Sequence, residues 1–213
     1  MTPLWIILGI VLALVVLIAL YAIVAYNRLV SFRERFKNAY SQIDVQLKRR
    51  YELIPNLVET VKGYMTHERE TLEAVIAARN QALAASNQAA AHPTDPGAIL
   101  GLAGAENLLL GALGRLFMLR EAYPQLMADQ HTSRLMEELA STENRIAFAR
   151  QYYNDSVMAY NAYRQSFPPV MIAGAMGFGE AALFKIDDAR EREVVQVQFE
   201  RGGRAPQPAP GAM

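Results

Sequence analysis

The stretch Leu4–Val24 constrains this chain more than any other feature. Twenty of its 21 residues are apolar, Gly9 is the exception, and none is charged. As a helix it would be about 32 Å long, close to the roughly 30 Å of a bilayer's hydrocarbon core. A helix apolar on every side needs an apolar surround. The rest of the 213-residue chain offers only amphipathic segments, so a buried core helix is disfavoured. A cleaved signal peptide would need a basic leader, a shorter apolar run and a small-x-small cleavage site. Met1-Thr2-Pro3 has no charged side chain, and no convincing site of that kind follows. Residues 1–26 are therefore predicted to be a retained transmembrane anchor, with Trp5 and Tyr26 near its two interfaces.

The flanks give an orientation. No Lys or Arg precedes the run, whereas Arg28, Arg33, Arg35 and Lys37 follow it, opposed only by Glu34. Juxtamembrane basic residues stay on the cytoplasmic side. The expectation is a single-pass membrane protein with its N-terminus outside and nearly all of the chain in the cytoplasm. The same cluster would lie against anionic headgroups, although a topology signal is the simpler reading.

Beyond the anchor, about 47% of the residues are apolar, close to ordinary globular usage. Lys+Arg and Asp+Glu each number 21. A formal charge of zero lacks the basic excess of a general nucleic-acid binder, and no nucleic-acid partner is expected. There is no cysteine, which excludes disulfides, thiolate metal sites and Cys nucleophiles.

From Leu29 the apolar spacing alternates four and three. Leu29, Phe36, Tyr40, Ile43, Leu47, Ile54, Leu57, Val61 and Tyr64 share one seam, and Arg33 and Arg50 take its remaining two slots. That is an amphipathic helix. No cap or breaker separates Tyr26 from Leu29, so the anchor helix is expected to run on to about Ala85. Pro55 lies inside and would remove one backbone hydrogen bond, making it the expected kink. The run His92–Gly97 breaks the pattern, with Asp95 placed as an N-cap and Pro96 at the first helical position.

A second helix, to about Ala122, presents Leu102, Leu109, Leu113, Leu116 and Leu119. Its Gly101, Gly104, Gly111 and Gly114 would permit close helix approach. Its Glu106, Asn107, Arg115 and Arg120 argue against a second span. A third, capped by Thr132 or Ser133, carries Leu135, Leu139, Thr142, Ile146, Ala149, Tyr153, Ser156, Tyr160, Tyr163 and Phe167, and Pro168-Pro169 stops it. The segment Val170–Phe184 reads as a short, imperfect fourth helix. Val195, Val197 and Phe199 alternate with polar neighbours, a period-two strand pattern suited to pairing with a partner. Residues 201–213 are Pro/Gly-rich and are expected to be a disordered tail. The predicted fold is all-α: one transmembrane helix, then an up-and-down bundle of three long helices and one short one over residues 27–200.

Few residues suggest chemistry. His67, His92 and His131 fall on different segments, and no Glu-x-x-His pair of the di-metal bundles occurs. No nucleotide or hydrolase fingerprint is present. The densest polar run is Thr142–Asn154, where Glu143, Arg145, Arg150 and Asn154 are the candidates for a polar network across helices. Such a network fixes register in a bundle whose apolar seam alone would tolerate slippage.

Several motifs carry a family resemblance. They are Tyr26-Asn27-Arg28-Leu29-Val30, the runs Gln42–Tyr51 and Leu53–Tyr64, Ala105-Glu106-Asn107 and Glu121-Ala122-Tyr123-Pro124. Glu143–Asn154, Gly177-Phe178 and the Val-x-Phe at Val197–Phe199 complete the set. Together they span about residues 26 to 200, and the chain resembles LemA-family membrane proteins. Asp129-Gln130-His131-Thr132-Ser133 departs from the more usual Asn/Phe-containing turn.

The resemblance implies a bacterial inner-membrane protein with a cytoplasmic helical bundle. A magnetosome-associated member of the family suggests a membrane-organising role. The association of family members with membrane metalloproteases suggests such a protein as partner, beside a homo-oligomer. No catalytic residue carries over. The expected function is a non-enzymatic, membrane-anchored scaffold or adaptor with no cofactor; the alternative is a regulator of membrane proteolysis or envelope stress.

Overall fold

The computed structural model describes residues 2–186, with side chains from residue 4 onward except at residue 127. Six helices and no strand occur among these residues: α1 (Thr2–Lys62), α2 (Arg69–Ala91), α3 (Pro96–Arg120), α4 (Pro124–Ala128), α5 (Gln130–Gln165) and α6 (Pro169–Ala175). The fold is all-α with an N-terminal apolar helix, as the sequence predicts. The strand expected at Val195, Val197 and Phe199 and the 201–213 tail lie outside the described residues.

α1 runs for 61 residues without a break. Every residue from Leu4 to Tyr21 is exposed. Burial starts at Ala25 and then follows the predicted seam, with Leu29, Phe36, Tyr40, Ile43, Leu47, Ile54, Leu57 and Val61 all buried. The expected continuation to Ala85 does not occur. The chain turns after Lys62, where the Tyr64 and Met65 amides both donate to the Val61 carbonyl, and α2 returns along α1. The physical reason is burial. Folding back lets Leu72, Val75, Ala82 and Ala89 face the core, where a straight helix would leave them in water. Tyr64, which the seam places in the core, sits in that turn and is half-exposed. The bundle thus has four long helices and two short ones.

α3 begins as predicted, with the Asp95 carboxylate accepting from the Gly97 amide at 2.9 Å and Pro96 opening the helix. Its leucines Leu102, Leu109, Leu113 and Leu116 are buried. Its glycines are not in a helix contact: a Cβ at Gly101, Gly104, Gly111 or Gly114 would meet nothing within 4 Å. They lie where no other helix among the described residues reaches them, because the leucine face is the one the bundle uses. The cap of α5 is Asp129, whose carboxylate accepts from the His131 amide at 3.0 Å; Thr132, expected as a cap, is buried.

α1 packs against α5 along its length, and α2 against α3. One antiparallel register holds the first pair together: Arg50 meets Glu143, Phe36 meets Tyr153 and Tyr160, and Phe32 meets Tyr163. The α2–α3 hairpin meets α1 at Tyr40, whose hydroxyl donates to the Ser86 carbonyl at 3.5 Å. It flanks the half of the bundle far from the apolar run. The near half is made by α1, α5 and α6. The predicted fourth helix is only the seven residues of α6. Gly177 closes it at φ 71°, a conformation that favours glycine, and the Phe178 amide donates back to the Ala173 carbonyl at 3.0 Å. Residues 178–186 then run back along α5 without regular structure.

Candidate functional site

The polar centre of the bundle is Arg50. It takes an apolar slot of the α1 seam, and its side chain is 1% exposed. It is ion-paired with Glu106 of α3, whose side chain is 0% exposed, and with Glu143 of α5 at 2.5 Å. The next residue, Tyr51, donates its hydroxyl to Glu106 and lies 3.3 Å from the Ala82 carbonyl of α2. Four helices therefore meet at one level. Burying a guanidinium and a carboxylate is costly unless both are paired and hydrogen-bonded; here the two are ion-paired, Arg50 donates to Glu143, and Glu106 accepts from Tyr51. Burial pushes the Tyr51 phenol up to about 12, and the adjacent Arg50 charge pulls the other way.

A second polar contact follows from Pro55. Proline has no N–H, so the Tyr51 carbonyl four residues earlier loses its helical donor. Arg79 of α2 supplies one, its Nε donating to that carbonyl at 2.9 Å. Below this level, Ser86 Oγ donates to Asp44 Oδ1 at 3.4 Å, and the other Asp44 oxygen takes Lys48 at 2.6 Å.

The third centre is a ladder on α5. The Asn161 side-chain amide brackets Ala181, donating to its carbonyl at 2.8 Å and accepting from its amide at 3.0 Å. Seven residues earlier, Asn154 treats Phe184 in the same way, at 3.2 and 2.8 Å. Tyr160 and Tyr153 donate to the Gly179 and Ala182 carbonyls at 2.8 and 3.0 Å. Two Tyr-Asn pairs one heptad apart thus satisfy an extended segment as a neighbouring strand would. Burial raises the pKa of both tyrosines.

The four residues singled out for a polar network are divided by this geometry. Glu143 joins Arg50, and Asn154 joins the ladder. Arg145 is exposed and Arg150 half-buried, and neither pairs with Glu143 or Asn154. Glu106, Tyr51, Arg79 and Asn161 were not singled out. The Tyr-Asn repeat at a spacing of seven was a visible pattern for Asn161; Glu106 was visible as a charged residue within a leucine-rich helix and in the motif Ala105-Glu106-Asn107, but nothing tied it to Arg50. In the juxtamembrane set, Arg28 stacks over Tyr163 at 4.9 Å and Arg33 over Phe178 at 4.9 Å, while Lys37 pairs with Glu34 at 2.9 Å. Arg35 is exposed. An open groove of about 960 Å³ lies between the end of α1 and the start of α2, floored by Pro55, Val58, Met65, Leu72 and Ile76.

What the buried centres do chemically is hold helices in register. Arg50 and Glu106 are closed to solvent, and the Asn amides are spent on the chain's own backbone. The fold and these centres define a class: a register-locked helical bundle carried on an exposed apolar helix of membrane-crossing length. The chain belongs to the LemA family, whose sequence profile matches residues 39–199. Among characterised relatives, it is 27% identical over 189 residues to magnetosome protein MamQ of Magnetospirillum gryphiswaldense, an alignment covering 82% of this chain and 70% of the relative. Magnetosome proteins MamQ 1 and MamQ 2 of Paramagnetospirillum magneticum match with the same identity and coverage.

Proposed function

We propose that this protein is a non-enzymatic, membrane-anchored scaffold or adaptor. Leu4–Val24 crosses the membrane once, with the N-terminus outside, and the bundle stands on the cytoplasmic side. The observation that carries this reading is the continuity of α1 from Thr2 to Lys62. A flexible tether would fix only the location of a domain. A helix shared by span and bundle also fixes its orientation, which is what a scaffold requires.

The outer face of α3 gives such a scaffold a surface to present. Leu100, Leu108 and Met118 are exposed there, and Gly101, Gly104 and Gly111 leave room for another helix to approach. The likeness to magnetosome protein MamQ supports a membrane setting.

The chain has no cysteine, so single-cysteine variants report on one position each. In intact cells, Thr2→Cys should react with a membrane-impermeant maleimide and Gln125→Cys should not; the opposite pattern would reverse the orientation. A photo-crosslinker at Leu108 in native membranes should yield a discrete adduct, with a much weaker one from Glu52 on α1. Equal labelling from both positions, or none from Leu108, would remove the scaffold surface.

A further inference from the structure

We propose that the corner between α5 and α6 is a second membrane contact, inserting Phe167, Val170, Met171 and Met176 at the boundary of headgroups and acyl chains beside the anchor helix. This rests on the reading that Leu4–Val24 spans the bilayer.

Height comes first. The span ends at Val24, and α6 packs where it ends. Ala25 and Leu29 are buried, and the Tyr26 and Phe178 rings meet edge-on at 5.6 Å. A helix rises about 1.5 Å per residue, so the corner sits at the last turn of the apolar run. Orientation comes second. Pro169 and Ala173 point into the bundle, while Phe167 is 79% exposed, Met171 67% and Met176 62%, with Val170 also exposed. Phe167 continues the α5 seam one heptad beyond Tyr160, yet the bundle does not bury it.

Polarity agrees with that placement. No charged residue occurs from Phe167 to Gly179. The corner's backbone is closed internally: Val170 N donates to Ser166 O at 2.8 Å, Met176 N to Ile172 O at 2.9 Å and Phe178 N to Ala173 O at 3.0 Å. Shallow insertion therefore strands few backbone donors in a poorly hydrated layer. About one turn beyond the span stands Arg28, and about two and a half turns beyond it Arg33, each stacked on an aromatic ring of this end of the bundle. Apolar side chains below and guanidinium groups above match the order of acyl chains and phosphates in an anionic bilayer.

The test uses the full chain in bilayers of phosphatidylcholine and phosphatidylglycerol. Nitroxide labels are placed singly by Leu14→Cys, Met171→Cys and Gln125→Cys, all at exposed positions. Their relaxation is compared with oxygen, which partitions into lipid, and with a polar nickel chelate, which does not. Position 14 should favour oxygen strongly, position 125 should favour nickel, and position 171 should favour oxygen at a shallower depth than 14. If 14 does not favour oxygen, the anchor reading fails and this contact with it. If 14 does and 171 favours nickel, the corner faces water and the proposal is overturned while the anchor stands. If 171 is shielded from both reagents, a second protein surface covers the corner, and the proposal is overturned equally.

Discussion

Arg50 stands where the four-three spacing of α1 calls for an apolar side chain, and the structure fills the slot by pairing it. The irregularity was visible in the sequence. Glu143 was expected to bond across helices, but its pairing with Arg50 and the part played by Glu106 were not legible, because both lie on other helices and no local pattern connects them to Arg50. Removing one member of a buried pair strands the other. Arg50→Ala should cost about 3–5 kcal/mol in denaturant unfolding. Arg50→Met combined with Glu106→Leu should recover most of that loss, because no charge is then left buried. A double variant as unstable as the single one would show that the pair stabilises by more than charge compensation.

The buried phenols make a second prediction at this scale. Burial raises Tyr40, Tyr51 and Tyr153, with Tyr51 at about 12. Each favours its neutral form in the fold, so its contribution is intact below about pH 10, the ordinary tyrosine value. Above that pH the unfolded chain gives up protons that the folded chain keeps, so stability declines as the pH climbs towards 12. The thermal midpoint should fall across that window, and Tyr153→Phe should make the fall shallower. A midpoint flat from pH 9.5 to 11.5 would contradict the burial of these hydroxyls.

At the scale of the element, periodicity located the helix faces better than the helix ends. The α1 and α5 seams are buried from Leu29 to Val61 and from Leu135 to Tyr160, because a stripe at helical spacing has one way to leave water. The turn after Lys62 was missed although Lys62-Gly63 is a helix-stop pattern, because the apolar spacing continues past it; the need to turn comes from α2's own apolar face. The hydrogen bond that Pro55 removes was legible in the sequence, but not what replaces it, the Arg79 donor.

A double-mutant cycle tests that remedy. Arg79→Ala should cost about 1 kcal/mol, the net worth of one such hydrogen bond. In a Pro55→Ala background the helix regains its own N–H for the Tyr51 carbonyl, and Arg79→Ala should cost clearly less. Equal costs in the two backgrounds would mean that Arg79 acts through packing. The α5 ladder makes a parallel claim. Asn154→Ala with Asn161→Ala should release residues 178–186 and speed tryptic cleavage after exposed Lys185, with α5 helicity unchanged by circular dichroism. Unchanged protection would show that apolar packing of Phe184 holds the segment without the amides.

At the scale of the whole molecule, a long helix joins two environments. Its first part is exposed and apolar, and the rest is the central strut of a bundle locked by Arg50 at one level and by the Tyr-Asn ladder nearer the apolar run. The sequence signalled this continuity, since nothing between Tyr26 and Leu29 caps or breaks a helix. Everything proposed about orientation, presentation and the second membrane contact depends on its being rigid. The direct measurement is a pulsed electron-electron distance between nitroxides at Ile10→Cys and Val45→Cys, both exposed positions, in the full chain held in nanodiscs. An unbroken helix rises about 1.5 Å per residue, which separates the two backbone sites by about 52 Å. One narrow distribution near that distance is expected. A broad distribution, or a main population many ångströms shorter, would mean a hinge between span and bundle and would contradict the rigid-post reading.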